Sequence, residues 1–176
     1  RFVLNADGPL ADFAIFGQAR TLEARPDERF AGTMQARIAA FASQPLGQAV
    51  VHLTGVDPSA WFAGVPAATL DIDVELRPRG DTLDVLDGRL IVNNRLAGSV
   101  DQQRVPLREL RTELDVRQGA WHLAGIDARL SGNGRLRGQG TYRQGALLLD
   151  LVVEKLDAHA VHGRLRPTTL NGSLRA

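Results

Sequence analysis

The sequence predicts an all-β fold, one long antiparallel meander with a single apolar face. Two observations carry this. The segment ATLDIDVELR at 68–77 places Ala68, Leu70, Ile72, Val74 and Leu76 at alternate positions with polar residues between them, the pattern of a half-buried strand. Similar period-two stretches recur, through turns marked by Gly, Asn and Asp, to the end of the chain. At 176 residues the chain can hold one ordinary domain. A single β-rich domain over 1–176 is expected, less regular at 1–66 and a regular meander over 67–176.

Residues 1–47 mix apolar spacings, with breaks at Asp7-Gly8-Pro9 and Arg25-Pro26-Asp27. Over 30–41 a helical stripe of Met34, Ile38 and Phe41 competes with alternation of Phe30, Gly32, Met34, Ala36 and Ile38; Gly32 and Thr33 favour the strand. Gln48 to Thr54 reads as a strand ended by Gly55. Asp57-Pro58 then supplies an N-cap and a first-turn proline for a short helical turn within 58–63, with Trp61 and Phe62 as plugs.

Strand 68–77 closes on the turn cluster Pro78 to Asp81. Strand 82–93 carries Leu83 and Val85, then Leu90 and Val92, and this change of parity predicts a bulge at 86–88. After Asn93-Asn94 and a short polar stretch, Leu110, Thr112, Leu114 and Val116 alternate with Arg111, Glu113, Asp115 and Arg117. Strand 120–130 switches parity at Gly125, between Trp121 with Leu123 and Ile126 with Ala128 and Leu130. In 135–143, Leu136, Gly138, Gly140 and Tyr142 share a face, and Leu147, Leu149, Leu151 and Val153 follow after Gln144-Gly145. Pro167 and Gly172 interrupt the last stretch, 162–175. Eight to eleven strands joined by short turns imply that sequence neighbours pair. Ten strands at ~4.8 Å spacing run ~48 Å, too wide to stay flat. Such a sheet curls, folds over or closes, and its apolar face becomes a filled core or an open trough.

Composition narrows the function more by exclusion than by indication. The 21 Lys and Arg nearly balance the 20 Asp and Glu, and the arginines alternate with acids along the strands, so nucleic acid is not expected as a partner. Lys155 is the only lysine. The absence of cysteine removes disulfides, thiol nucleophiles and cysteine-based zinc sites. No apolar run approaches the ~20 residues that cross a bilayer. The chain begins at RFVLNADG, without methionine, and is expected to be a piece of a longer protein whose cut sheet edges would favour self-association.

No constellation of catalytic residues accompanies the sheet. His159 and His162 lie three apart near Glu154 and Asp157, but their flanks read as strand or turn, where the two rings diverge. His52 and His122 fall opposite the apolar series. Gly132-Asn133-Gly134 precedes RLRGQGTYRQG, which alternates and cannot form the helix a phosphate-binding loop needs. Asp71, Asp73 and Glu75 sit on the polar face, and Asp84 lies close to Asp87; neither pair flanks an apolar cleft as glycosidase carboxyls do. Serines at 43, 59, 99, 131 and 173 lack a nucleophile-elbow context. Beyond residue 63 the only aromatics are Trp121 and Tyr142, too few for a stacking platform. Neither enzyme activity nor a metal or cofactor is expected.

The segment NNRLAGSVDQQRVPL at 93–107, with LSGNGRLRGQGTYRQGALLLDLVVEKLDAHAVHGRL at 130–165, resembles the TamB family, the translocation and assembly module proteins of Gram-negative envelopes. The residues that carry the likeness are Asn94, Gly98, Asp101, Pro106-Leu107, Gly132 with Gly134, Gly138 with Gly140, Tyr142, Leu156-Asp157 and the stretch from Leu165 to Leu170. The likeness covers roughly 48–176 and is clearest from 82 onward. That family is similar to AsmA-like and bridge-type lipid-transfer proteins. The resemblance implies a periplasmic β-sheet curled into a taco-like trough, held to the inner membrane by an N-terminal anchor absent from this chain, with a TamA-like outer-membrane barrel as partner. It further implies phospholipid passage between the membranes and help in the assembly of unfolded outer-membrane proteins and autotransporters.

The expected lining of the trough is Leu70, Ile72, Val74, Leu76, Leu90, Val92, Leu110, Leu114, Val116, Trp121, Leu123, Leu136, Tyr142, Leu147, Leu149, Leu151 and Val153. Such a lining would hold acyl chains. The alternatives are a chaperone that templates the strands of unfolded barrels on a sheet edge and a structural β-solenoid with a filled core.

Overall fold

The computed structural model of the chain describes residues 1–21, 30–80 and 85–176. Eleven strands form one antiparallel sheet: β1 (Phe2–Asp7), β2 (Phe13–Arg20), β3 (Ala31–Ile38), β4 (Leu46–Val56), β5 (Leu70–Pro78), β6 (Val85–Asn94), β7 (Leu107–Arg117), β8 (Ala120–Leu130), β9 (Arg135–Arg143), β10 (Ala146–Leu156) and β11 (Leu170–Arg175). Their spatial order is their sequence order, so each strand pairs with its chain neighbours alone. The sheet is curled and does not close into a barrel: β1 and β11 are its two edges. Within 30–41, where strand was favoured over helix, β3 takes Ala31–Ile38. The break at Arg25-Pro26-Asp27, Leu83 and the carboxylate Asp84 lie outside the described residues.

Two two-residue turns lie on the border of the sheet opposite the one that carries its three longest connections. Gln118-Gly119 and Gln144-Gly145 join β7 to β8 and β9 to β10 with positive φ at both residues (50° and 74°, then 51° and 86°), the two-residue geometry whose twist matches paired strands. On the other border, the connections 57–69, 95–106 and 157–169 hold one another. Ala67 N–H donates to the Gln103 carbonyl at 2.8 Å and Val105 N–H to the Ala67 carbonyl at 3.2 Å. Gly163 N–H donates to Asp101 Oδ1 at 2.7 Å.

One corner of this border is built twice. At the end of β4 the register with β5 shifts between Leu53 and Val56, and Gly55, at φ 67°, donates its N–H to Asp71 Oδ1. At the end of β10 the register with β11 shifts between Val153 and Leu156, and Lys155, at φ 50°, donates its N–H to Asn171 Oδ1. Asp57 Oδ1 then accepts from Ser59 N–H and Ala68 N–H, and Asp157 Oδ1 accepts from His159 N–H and Thr168 N–H. Each aspartate caps one helical turn, Pro58–Ala60 as a 3₁₀ turn and α1 (Ala158–Val161) as an α turn. Equivalent residues stand 100 positions apart, and strands resume at Leu70 and at Leu170.

Three expectations need correction. No bulge occurs at 86–88: β6 pairs without a slip to both neighbours, with Gly88 opposite Leu76 and Leu114. Gly88 is there because β5 passes too close for a side chain. An added Cβ would meet the Glu75 carbonyl oxygen and lie 2.7 Å from Leu76 Cδ2. The strand and turn expected around His159 and His162 are present, as β10 and the turn after His162, but between them stands α1, a single turn that Asp157 caps, with His159 inside it and His162 at its C-terminal end. Trp61 and Phe62 are not plugs. Both are exposed, and the Trp61 ring meets that of Phe30 in a T-shaped contact, centroids 6.4 Å apart.

Candidate functional site

Register, more than composition, assembles the apolar face. Phe2, Ala19, Gly32, Leu53, Ile72, Val92, Leu110, Ala128, Leu136, Val153 and Gly172 are successive cross-strand partners, one from each of the eleven strands. No polar residue interrupts that row. A second row runs Ala6, Ile15, Ala36, Ala49, Leu76, Gly88, Leu114, Leu123, Gly140 and Leu149. Between them Leu4, Gly17, Met34, Val51, Val74 and Leu90 reach Thr112, whose hydroxyl donates to the Ala124 carbonyl at 2.9 Å. Beyond Thr112 this middle row resumes at Ile126, Gly138, Leu151 and Leu174.

The bulge at Gly125 keeps these rows continuous. The β8 register shifts between Leu123 and Ile126 against β9, and between Arg111 and Glu113 on β7. One extra residue, with Gly125 at φ 57°, turns the parity over. Trp121 and Leu123 before it thus share a face with Ile126 and Ala128 after it, as the sequence indicated.

All seventeen expected lining residues lie on this face, to different depths. Val92, Leu114 and Leu151 are buried. Leu70, Ile72, Val74, Leu76, Leu90, Leu110, Val116, Leu123, Leu136, Leu149 and Val153 are half-buried. Trp121, Tyr142 and Leu147 are exposed, at 38%, 45% and 50%. They belong to a fourth row, Pro78, Leu86, Val116, Trp121, Tyr142 and Leu147, along the tight-turn border. The sequence reading missed the contributions of Phe2, Leu4, Ile15, Met34, Val51 and Leu53. Alternation at Gly32, Met34, Ala36 and Ile38 was their signal. It also missed Leu86, through the misplaced bulge.

Two further observations describe an open lining. The chain exposes 11478 Å², against roughly 8,400 Å² for a compact monomer of 19.0 kDa. No large side chain is fully buried among the described residues. A filled core of this size would show many.

The opposite face carries paired charges, with Phe16, Val50, Leu148 and Val152 exposed among them. The Arg117 guanidinium, donating to Asp115 at 2.8 and 2.6 Å, holds that carboxyl below the usual aspartate range, and Arg135 does the same to Asp127. Arg37 lowers Asp12 through bonds of 2.9 and 2.6 Å. His52 pairs with Asp73 on this face, and His122 lies 3.2 Å from the Thr141 hydroxyl. His159 bonds the Leu165 carbonyl. Among the described residues no group of His, Asp and Glu is placed to hold a metal ion. Compared with known proteins, the chain matches no family model, and neither a curated protein nor a solved structure is significantly similar to it.

Proposed function

We propose that the chain is a trough segment of a TamB-like envelope protein, shielding phospholipid acyl chains on their passage between inner and outer membrane. The observation that supports this reading is the unbroken apolar row across all eleven strands, left largely half-exposed by an open sheet. Each methylene taken from water onto such a surface is stabilised by about 0.8 kcal/mol. A lining of near-equivalent Leu, Val and Ile positions gives many similar weak contacts and little choice between chains, which suits movement along the rows. The charged outer face keeps the segment in water.

The wider assignments rest on the likeness at 93–107 and 130–165. They comprise the periplasmic location, the membrane-anchored parent, the TamA-like partner and a part in assembling outer-membrane proteins. Photo-crosslinking side chains placed at Leu90 and Leu149 should capture phospholipid, whereas the same groups at Asp73 and His122 should not. Equal labelling at all four positions would refute the trough.

A further inference from the structure

Among the concavities on the charged face, two of similar size differ in charge. One, of about 640 Å³, is lined by Arg77, Arg79 and Arg89 together with Glu75, Asp87, Glu113 and Asp115. Acids there outnumber arginines by one. The other, of about 550 Å³, lies at the border that carries the long connections, and gathers Arg95, Arg108, Arg129 and Arg135 around a single carboxylate, Glu109, beside the Asn133 turn.

Local pairing leaves this second concavity with positive charge in excess. Arg95 is met by Asp71 at 3.1 Å, and Arg135 by Asp127 through both guanidinium nitrogens. Glu109 is shared: Arg129 approaches it at 3.4 Å while Arg111 is hydrogen-bonded to its other oxygen. Arg108 sits at the register irregularity between Leu107 and Glu109 and has no ion-pair partner among the described residues. Arg129 and Arg135 are direct cross-strand partners, a like-charge placement that costs stability unless a further anion sits against it. Five guanidinium groups thus face three carboxylates.

We infer that this concavity is a binding site for a phosphate group, held by Arg108 and Arg129 with Arg95 and Arg135 behind them. Planar guanidinium groups suit tetrahedral oxyanions because each offers paired N–H donors. Arg129 and Arg135 are the chain neighbours of Ala128 and Leu136 in the eleven-strand apolar row and so point to the opposite face, which leaves a phosphate bound here across the sheet border from the trough. The ligand is either free phosphate or the phosphodiester of a lipid headgroup. The second source depends on the trough reading above.

The test compares the chain with its Arg108→Gln/Arg129→Gln variant, and with Arg77→Gln/Arg89→Gln in the balanced concavity as control. Inorganic phosphate titrated into the unaltered chain should move the Asn133 backbone amide resonance, and the first variant should abolish that movement. Retention of phosphatidylglycerol, read by native mass spectrometry against diacylglycerol of the same chains, should fall on the order of tenfold in the first variant only. Diacylglycerol retention should not change. Phosphate movement with neither lipid retained would assign the site to free phosphate and count against the trough. Both lipids retained equally, with no phosphate movement, would overturn the site and leave the trough intact. Equal losses in both double variants would also overturn it.

Discussion

At Gly88 an added methyl group has no room, because the Glu75 carbonyl of the neighbouring strand occupies its place. Gly138 is confined in the same way: a Cβ there would strike the Asp150 carbonyl and lie 2.9 Å from Leu151 Cα. Gly88→Ala should therefore destabilise the chain by about 1–3 kcal/mol, as overpacking does. Gly172→Ala, with nothing within 4 Å of its added Cβ, should change stability by less than about 0.5 kcal/mol. Urea denaturation of the two variants checks the difference, and equal midpoints would contradict it. Asp101 supplies a second prediction. The Gly163 N–H, above all, holds its carboxyl below the ordinary 3.8, so protonation is harder in the folded than in the unfolded chain. A lowered folded value means stability that is present above 3.8 and lost as pH falls through the lower value. The Gly163 amide resonance should accordingly titrate below pH 3.8, and in Asp101→Asn that inflection should vanish. Alternation alone placed Ile72 or Leu114 on the correct face, but it could not detect how closely two backbones pass at Gly88. A glycine between residues of opposite parity reads as a bulge.

Among elements, the border of long connections depends on Asn94. It is buried, accepts at Oδ1 from Thr69 N–H at 3.1 Å and Leu96 N–H at 3.0 Å, and donates through Nδ2 to the carbonyls of Val105 and Leu107. One side chain thereby fastens the start of β5 to both ends of 95–106. Asn94→Ala leaves these groups without partners and should cost about 2–3 kcal/mol. Hydrogen exchange at Thr69 and Leu96 should quicken by more than at Val92, whose bonds lie inside the sheet; uniform quickening would argue against a local role. Elements with local chemistry were legible. Gln118-Gly119, Gln144-Gly145 and the Asp57-Pro58 cap each declare themselves within two residues. The repeated corner was not legible, because 53–72 and 153–172 share only the residues at 57/157, 60/160, 69/169 and 70/170. What they have in common is a backbone shape that Gly55 and Lys155 both adopt.

For the whole molecule, curvature was the step the sequence left open. Periodicity decides which side chains share a face, whereas the choice between a filled core and an open lining depends on how far successive strands rotate. The exposed area of 11478 Å² and the half-buried Leu90, Leu123 and Leu149 place the chain on the open side. That same openness makes the corner at Asp57, rebuilt at Asp157, a point at which length can be edited. Residues 57–156 contain six strands and begin and finish at equivalent junctions, so a second copy inserted after Leu156 would start in the register that β11 now uses. Such a tandem should remain one continuous sheet and grow by about 29 Å along its rows. Small-angle scattering would measure the increment, and a compact or aggregated product would refute it. Duplication at this joint would let distance be set by copy number, so that the gap a chain can span becomes countable in whole cassettes.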